Sequence, residues 1–130
     1  MIALDTNVLV RYIIRDDKSQ TRKADIIIEQ LTVDVPAFIS CIVLCELNWV
    51  LKTTYKVSKA DCIETLNNVF SIAVFDVERQ GECMAALREY ETGAADFSDY
   101  LIQNIAEQEG YDTVITFDKK ALKSPNFKSP

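Results

Sequence analysis

Carboxylates recur in this chain where an extended segment gives way to a helix, and the chain contains no histidine. Asp5 follows the apolar opening Met1-Ile2-Ala3-Leu4 and precedes Thr6, Asn7 and a second apolar run, which predicts a buried strand, a turn and a helix start. Asp118 closes Thr113-Val114-Ile115-Thr116-Phe117 in the same manner. Glu46 stands inside an apolar helix, and Asp96 and Asp99 open another. In open α/β sheets ligands bind outside the carboxyl ends of the strands. Oxygen-only donors without imidazole or a paired-cysteine motif suit Mg²⁺ or Mn²⁺ rather than zinc.

Each acid also has a structural reading. Asp5, Asp96 and Asp118 can cap the helix or turn that follows, although Thr6 or Asn7 could cap as well as Asp5. Asp99 falls at the third helical position, where the helix dipole favours negative charge. It shares a spacing with Ile102 and Ala106, so it is expected on the side packed toward the sheet, as a ligand; Asp96 stays available as the alternative. From Cys41 to Leu51 every residue except Glu46 and Asn48 is apolar, which predicts a helix buried nearly all round. A carboxylate buried there costs several kcal/mol unless a cation, a metal or protonation compensates it. No basic residue lies within a turn of Glu46.

A divalent ion held by such acids can lower the pKa of a bound water, orient it in line with a phosphodiester and stabilise the leaving oxygen, especially as a pair of ions about 4 Å apart. With no histidine as general base, metal-bound hydroxide fills that role.

The elements that must position these acids follow from punctuation and periodicity. A strand is expected over 2–5, helices over 7–15 and 19–31, and an extended segment over 33–37 with Pro36 near its end. Ser40 caps a helix reaching about Tyr55, and Ser58 caps one reaching Phe70. A strand over 71–75, a helix over 77–90, a break at Gly93, a helix over 96–109 stopped by Gly110 and a strand over 113–117 complete the pattern, before a short helix and a frayed tail. Alternating strands and helices predict a three-layer α/β/α fold with a central parallel sheet. Neighbouring strand ends in such a sheet lie about 5 Å apart, so Asp5 and Asp118 could converge if their strands pair.

At 130 residues, 48% hydrophobic and 26% charged, the chain has the size and composition of one globular domain, 1–130. Its longest wholly apolar run is too short to cross a membrane, and the expected location is cytoplasmic. Four cysteines without a C-x-x-C pair suit buried free thiols in a reducing compartment. The net charge of -6 argues against a nucleic-acid partner, but acids committed to metal would leave the remainder less negative.

Taken in order, Leu4-Asp5-Thr6-Asn7-Val8-Leu9-Val10, Leu44-Cys45-Glu46-Leu47, Ala95-Asp96-Phe97-Ser98-Asp99-Tyr100-Leu101-Ile102 and Ile115-Thr116-Phe117-Asp118-Lys119-Lys120 resemble the PIN domain, and within it the VapC-type toxin ribonucleases of toxin-antitoxin pairs. The resemblance implies that Asp5, Glu46, Asp99 and Asp118 bind metal, supported by Thr6, Asn7 and Thr116. It also implies a Mg²⁺-dependent endoribonuclease, commonly homodimeric, acting on RNA and neutralised by an antitoxin protein.

Substrate contacts would need basic side chains. Arg11, Arg15, Lys18, Arg22 and Lys23 form the densest basic stretch, and Lys119 and Lys120 follow Asp118; all could equally be solvated surface. Tyr12 and Phe97 could stack on a base or pack in the core. The competing readings are a receiver-like Mg²⁺-binding signalling domain, a PIN-type RNA-processing nuclease that is not a toxin, a phosphatase with Asp5 as nucleophile, and an inactive domain whose acids are all caps. The first usually has an adjacent acid pair after its first strand, where this chain has Thr6 and Asn7.

Overall fold

A computed structural model describes all residues, Met1–Pro130. The chain divides into two compact units, Met1–Glu78 and Arg79–Pro130.

In the first unit β1 (Ile2–Ala3), β2 (Ala37–Ile39) and β3 (Phe75–Val77) form a parallel sheet in that order, with Ile2 beside Ala37 and Ala37 beside Phe75. Between them run α1 (Thr6–Ile14), α2 (Lys18–Glu29), α3 (Cys41–Thr53) and α4 (Lys59–Ser71). Every one of these helices starts on a residue whose side chain accepts a backbone N–H of the first turn: Asp5 from Val8, Asp17 from Gln20, Ser40 from Val43 and Ser58 from Asp61. Leu9, Ile39, Leu44, Leu47, Leu51 and Leu66 are fully buried, each worth about 1.5–3 kcal/mol relative to exposure.

In the second unit α5 (Gln80–Thr92) packs on α6 (Phe97–Gln108), with the Tyr90 and Phe97 rings 6.2 Å apart. Two short parallel strands follow, β4 (Val114–Ile115) and β5 (Phe127–Lys128), joined through a 3₁₀ turn at Ala121–Lys123. Tyr100 ties the helices to this tail: its ring stands edge-on to Phe127, and its hydroxyl meets Ser124 at 3.3 Å. Gly93 is required by that close approach, since a Cβ there would overlap the Tyr100 hydroxyl.

Parallel strands with six helices agree with the expected α/β/α class. Four expectations change in detail. The extended segments over 33–37 and 71–75 both form strands later, at 37–39 and 75–77. Thr32 and Val35 exchange backbone hydrogen bonds in a turn, and a second turn links Phe75 N–H to Ile72 C=O. Those turns consume the backbone groups that a strand would have used. The opening strand is exposed rather than buried, because β1 lies at the edge of its sheet. The tail expected to fray instead forms β5, which Val114 and Thr116 join through hydrogen bonds to Asn126 and Lys128. All four cysteines lie outside disulfides, and Cys41, Cys62 and Cys83 are buried, as expected of small hydrophobes.

Candidate metal centre

Asp5 occupies the turn between β1 and α1 with its backbone extended, and its Oδ1 accepts the Val8 N–H at 3.2 Å. The cap uses one oxygen of a side chain with two acceptors, and Oδ2 remains for another partner. Thr6 is buried at the first helical position, and Asn7 is exposed beside Asp5. Asp5, Asn7, Arg11, Gln20 and Lys23 border an open groove of about 310 Å³. Gln20 was not foreseen, since it reaches the groove only because α1 and α2 fold back on each other, which no local pattern announces.

Glu46 departs most from expectation. It is exposed, and it carries no hydrogen bond or ion pair. Helix α3 buries Cys41, Val43, Leu44, Leu47, Asn48 and Leu51, while Ile42 (70% exposed) and Trp49 (60%) share the solvent side with Glu46. The helix is therefore one-sided despite its composition, and its carboxylate needs no compensating charge. The buried polar oddity of α3 is Asn48, whose Oδ1 has no hydrogen-bond partner.

In the second unit Asp96 and Asp99 form a reciprocal capping box. The Asp96 side chain accepts N–H groups of the first turn, and Asp99 Oδ2 accepts the Asp96 N–H at 3.1 Å. The packed side of α6 is that of Phe97, Tyr100, Leu101 and Gln103. Ile102 is more than half exposed, so the expected inward face of Asp99, Ile102 and Ala106 is not the buried one. Spacing identifies a shared face but not which way it turns.

Asp118 caps as well. Its Oδ1 accepts the N–H groups of Lys120 (2.8 Å) and Ala121 (3.0 Å), while its own N–H donates to Thr116 Oγ1 at 3.0 Å. Thr116 thus supports the turn directly. The strands that end at Asp5 and Asp118 each find their ladder partner within their own unit, β2 and β5 respectively.

No three Asp, Glu or Cys side chains gather as a ligand set in this structure. The donors nonetheless match the chemistry of a hard ion: Asp5 and Asp118 commit one oxygen each to capping, and Glu46 commits neither.

Among the candidate substrate contacts, Arg11 and Arg15 are already engaged. Arg11 donates to Gln20, Tyr55 and Asp16, and Arg15 grips Asp25 through both terminal nitrogens at 2.9 and 2.6 Å. The hydrogen bond to Tyr55 and the neighbouring Asp16 raise the pKa of Arg11, and the Asp25 carboxylate raises that of Arg15. Asp25 is correspondingly lowered by Arg15. Lys119 and Lys120 are exposed and carry no ion pair. Neither aromatic candidate offers a free face: Phe97 is wholly buried, and Tyr12 is half-buried with its ring edge-on to Phe75.

The model of the PIN domain family matches residues 2–127. The chain belongs to the PIN domain family. A PIN domain is a nuclease fold, typically dependent on a divalent metal, which favours nuclease chemistry over the receiver-like alternative. Comparison with curated proteins gives no significant match. No helix of this PIN domain is long and apolar enough to cross a membrane.

Proposed function

We propose that the protein is a Mg²⁺- or Mn²⁺-dependent endoribonuclease, with Asp5, Glu46, Asp99 and Asp118 as its metal-binding and catalytic acids. The observation that carries this reading is the PIN match across 2–127, which spans all four acids in a chain with no histidine. It also crosses the boundary between the two units and supports treating 1–130 as a single domain. Asp96 is the alternative third acid, because the capping box places both carboxylates at one helix start.

When bound, the ion supplies Lewis acidity to the phosphodiester and acidifies a water. The chain's contribution is to hold Asp5, Asp99 and Asp118 at element ends and to present Glu46 from the exposed side of α3. Capping fixes the Asp5 and Asp118 side chains before any ligand arrives, and Thr116 fixes the Asp118 turn. Thr6 and Asn7, in the first turn of α1, are the polar neighbours assigned to support Asp5.

Within the family we read the chain as the toxin of a type II toxin-antitoxin pair, a cytoplasmic homodimer neutralised by an antitoxin protein. The motif likeness to VapC-type toxins supports this, and four cysteines outside disulfides suit a reducing compartment. The purified protein should cut RNA with Mg²⁺ or Mn²⁺, stop on addition of chelator, and lose activity on Asp5→Ala or Glu46→Ala. Cleavage unchanged in both variants would defeat the metal-acid assignment. Expression alone should arrest growth, with rescue by the small protein encoded alongside it. Robust RNA cleavage without arrest would assign the chain to RNA processing instead. Sedimentation of the purified protein reads the homodimer directly.

A further inference from the structure

The chain exposes a phenylalanine almost completely beside a proposed catalytic acid. Phe117 is 86% exposed, the most exposed aromatic side chain of the protein, and it directly precedes Asp118. An apolar ring of this size normally buries 150–250 Å². Its backbone is nevertheless held on both sides. Thr116 N–H donates to Lys128 C=O at 3.0 Å, and Asp118 is locked by Thr116 and by its own bonds to Lys120 and Ala121. The ring is therefore presented from an anchored turn.

The charge of the segment that carries it is mostly positive. From Thr113 to Pro130 the chain carries four lysines, Lys119, Lys120, Lys123 and Lys128, against the single acid Asp118, in a protein whose net charge is -6. None of the four lysines carries an ion pair. An anchored aromatic ring with unpaired lysines next to it is the combination that grips single strands, stacking for the base and cations for the phosphates.

We propose that Phe117 is a base-stacking residue of the substrate site, with Lys119 and Lys120 holding the adjoining phosphates, so that an unstacked nucleotide is seated next to Asp118. The assignment rests on the nuclease reading above. Stacking selects for nucleotides free of a duplex, because a paired base has both faces covered.

The test uses the intact protein in chelator, so that binding is measured without cleavage. The probe is a fluorescein-labelled single-stranded RNA decamer, together with a copy carrying an abasic site at each successive position. Phe117→Leu keeps the apolar bulk and removes the aromatic face, and Phe117→Trp restores it. Removing one stacking contact is expected to weaken decamer binding about tenfold in Phe117→Leu, with recovery in Phe117→Trp. The parent protein should lose a similar factor on one abasic probe, and Phe117→Leu should not distinguish that probe from the intact RNA. Lys119→Ala and Lys120→Ala should each reduce the slope of log affinity against log salt by about 0.7. Equal affinity of parent and Phe117→Leu for the decamer, in protein that still cuts RNA when Mn²⁺ is added, overturns the stacking role and leaves the nuclease reading standing. A shift of Phe117→Leu from dimer to monomer with unchanged RNA affinity also overturns it, in favour of a subunit contact. A parent protein that neither binds nor cuts RNA removes both proposals.

Discussion

The turns that carry Asp5 and Asp118 are built alike but are equipped with cations differently. Each ends a short parallel strand, and each uses the Oδ1 of its acid to accept backbone N–H groups of the turn that follows. On α1 and its cap, the helix that Asp5 opens, the cations are two arginines, and both are consumed: Arg11 by Asp16, Tyr55 and Gln20, and Arg15 by Asp25 in a two-pronged pair. After Asp118 they are lysines, and none is paired. Arginine's planar fork suits carboxylates of a folded scaffold, whereas lysine is a mobile point charge that a polyanion can recruit. A basic run near a proposed site is thus no guide to substrate contact until its internal partners are known.

The largest effect should come from separating what the two acids share. Asparagine can cap a helix about as well as aspartate but brings no charge to a metal. Asp5→Asn and Asp118→Asn should therefore melt within about 1 kcal/mol of the parent in denaturant titrations, while RNA cleavage in Mn²⁺ falls about a hundredfold or more. A variant that loses stability and activity in proportion would make that acid a cap and nothing else.

The next effect concerns the packing behind the second turn. Gly93→Ala drives a methyl group into the Tyr100 hydroxyl and against the Glu89 carbonyl. Because Tyr100 touches both Ser124 and Phe127, the cost of about 1–3 kcal/mol should be accompanied by loosening of the β5 tail, read as faster amide exchange at Val114 and Thr116. Exchange that accelerates only at the ends of α5 and α6 would show that the tail is held independently of Tyr100.

Local chemistry was readable from the sequence to the extent that it was local. Ser40 and Ser58 cap the helices they were expected to cap, and Gly110 ends α6 with φ of 93°, where a left-handed backbone favours glycine. The family motifs were readable for the same reason, being short contiguous runs. Direction was not readable. Composition made α3 look buried on all sides, yet Ile42, Glu46 and Trp49 face solvent, and the spacing of Asp99 with Ile102 gave a face but pointed it inward. Strand limits at 37–39 and 75–77 depended on turns at Thr32–Val35 and Ile72–Phe75, whose valines and isoleucine read as strand residues. The engagement of Arg11 with Tyr55 joins positions 44 residues apart, so no window along the chain could show it.

A smaller effect should appear in acid. Asp25 is held below the ordinary carboxylate range by Arg15. Asp16 is pushed upward by burial, but hydrogen bonds from Tyr55 and its own backbone, with the Arg11 charge, outweigh that and leave it lowered. A carboxyl group with a lower pKa in the folded state binds fewer protons than its unfolded counterpart. Its stabilisation is present above the unfolded value and disappears as pH falls through the folded one. Arg15→Ala should then be less stable than the parent at neutral pH and approach it below the ordinary range of aspartate, in paired urea titrations. A difference that persists undiminished in acid would assign the role of Arg15 to packing of its alkyl stem.

The smallest effect is the most direct test of the contrast between the two turns. If scaffold carboxylates neutralise Arg11 and Arg15, these side chains release no counterions when RNA binds, and Arg11→Ala should leave the salt dependence of RNA affinity unchanged. Lys119→Ala, which removes a cation with no internal partner, should lower the slope by about 0.7. Both measurements belong in chelator, at a temperature well below the melting point of either variant, because Arg11→Ala also removes support from Tyr55. If Arg11→Ala lowers the slope as Lys119→Ala does, its guanidinium must exchange Asp16 for phosphate during binding. The groove bordered by Asp5, Arg11 and Lys23 would then be a second track for the RNA backbone.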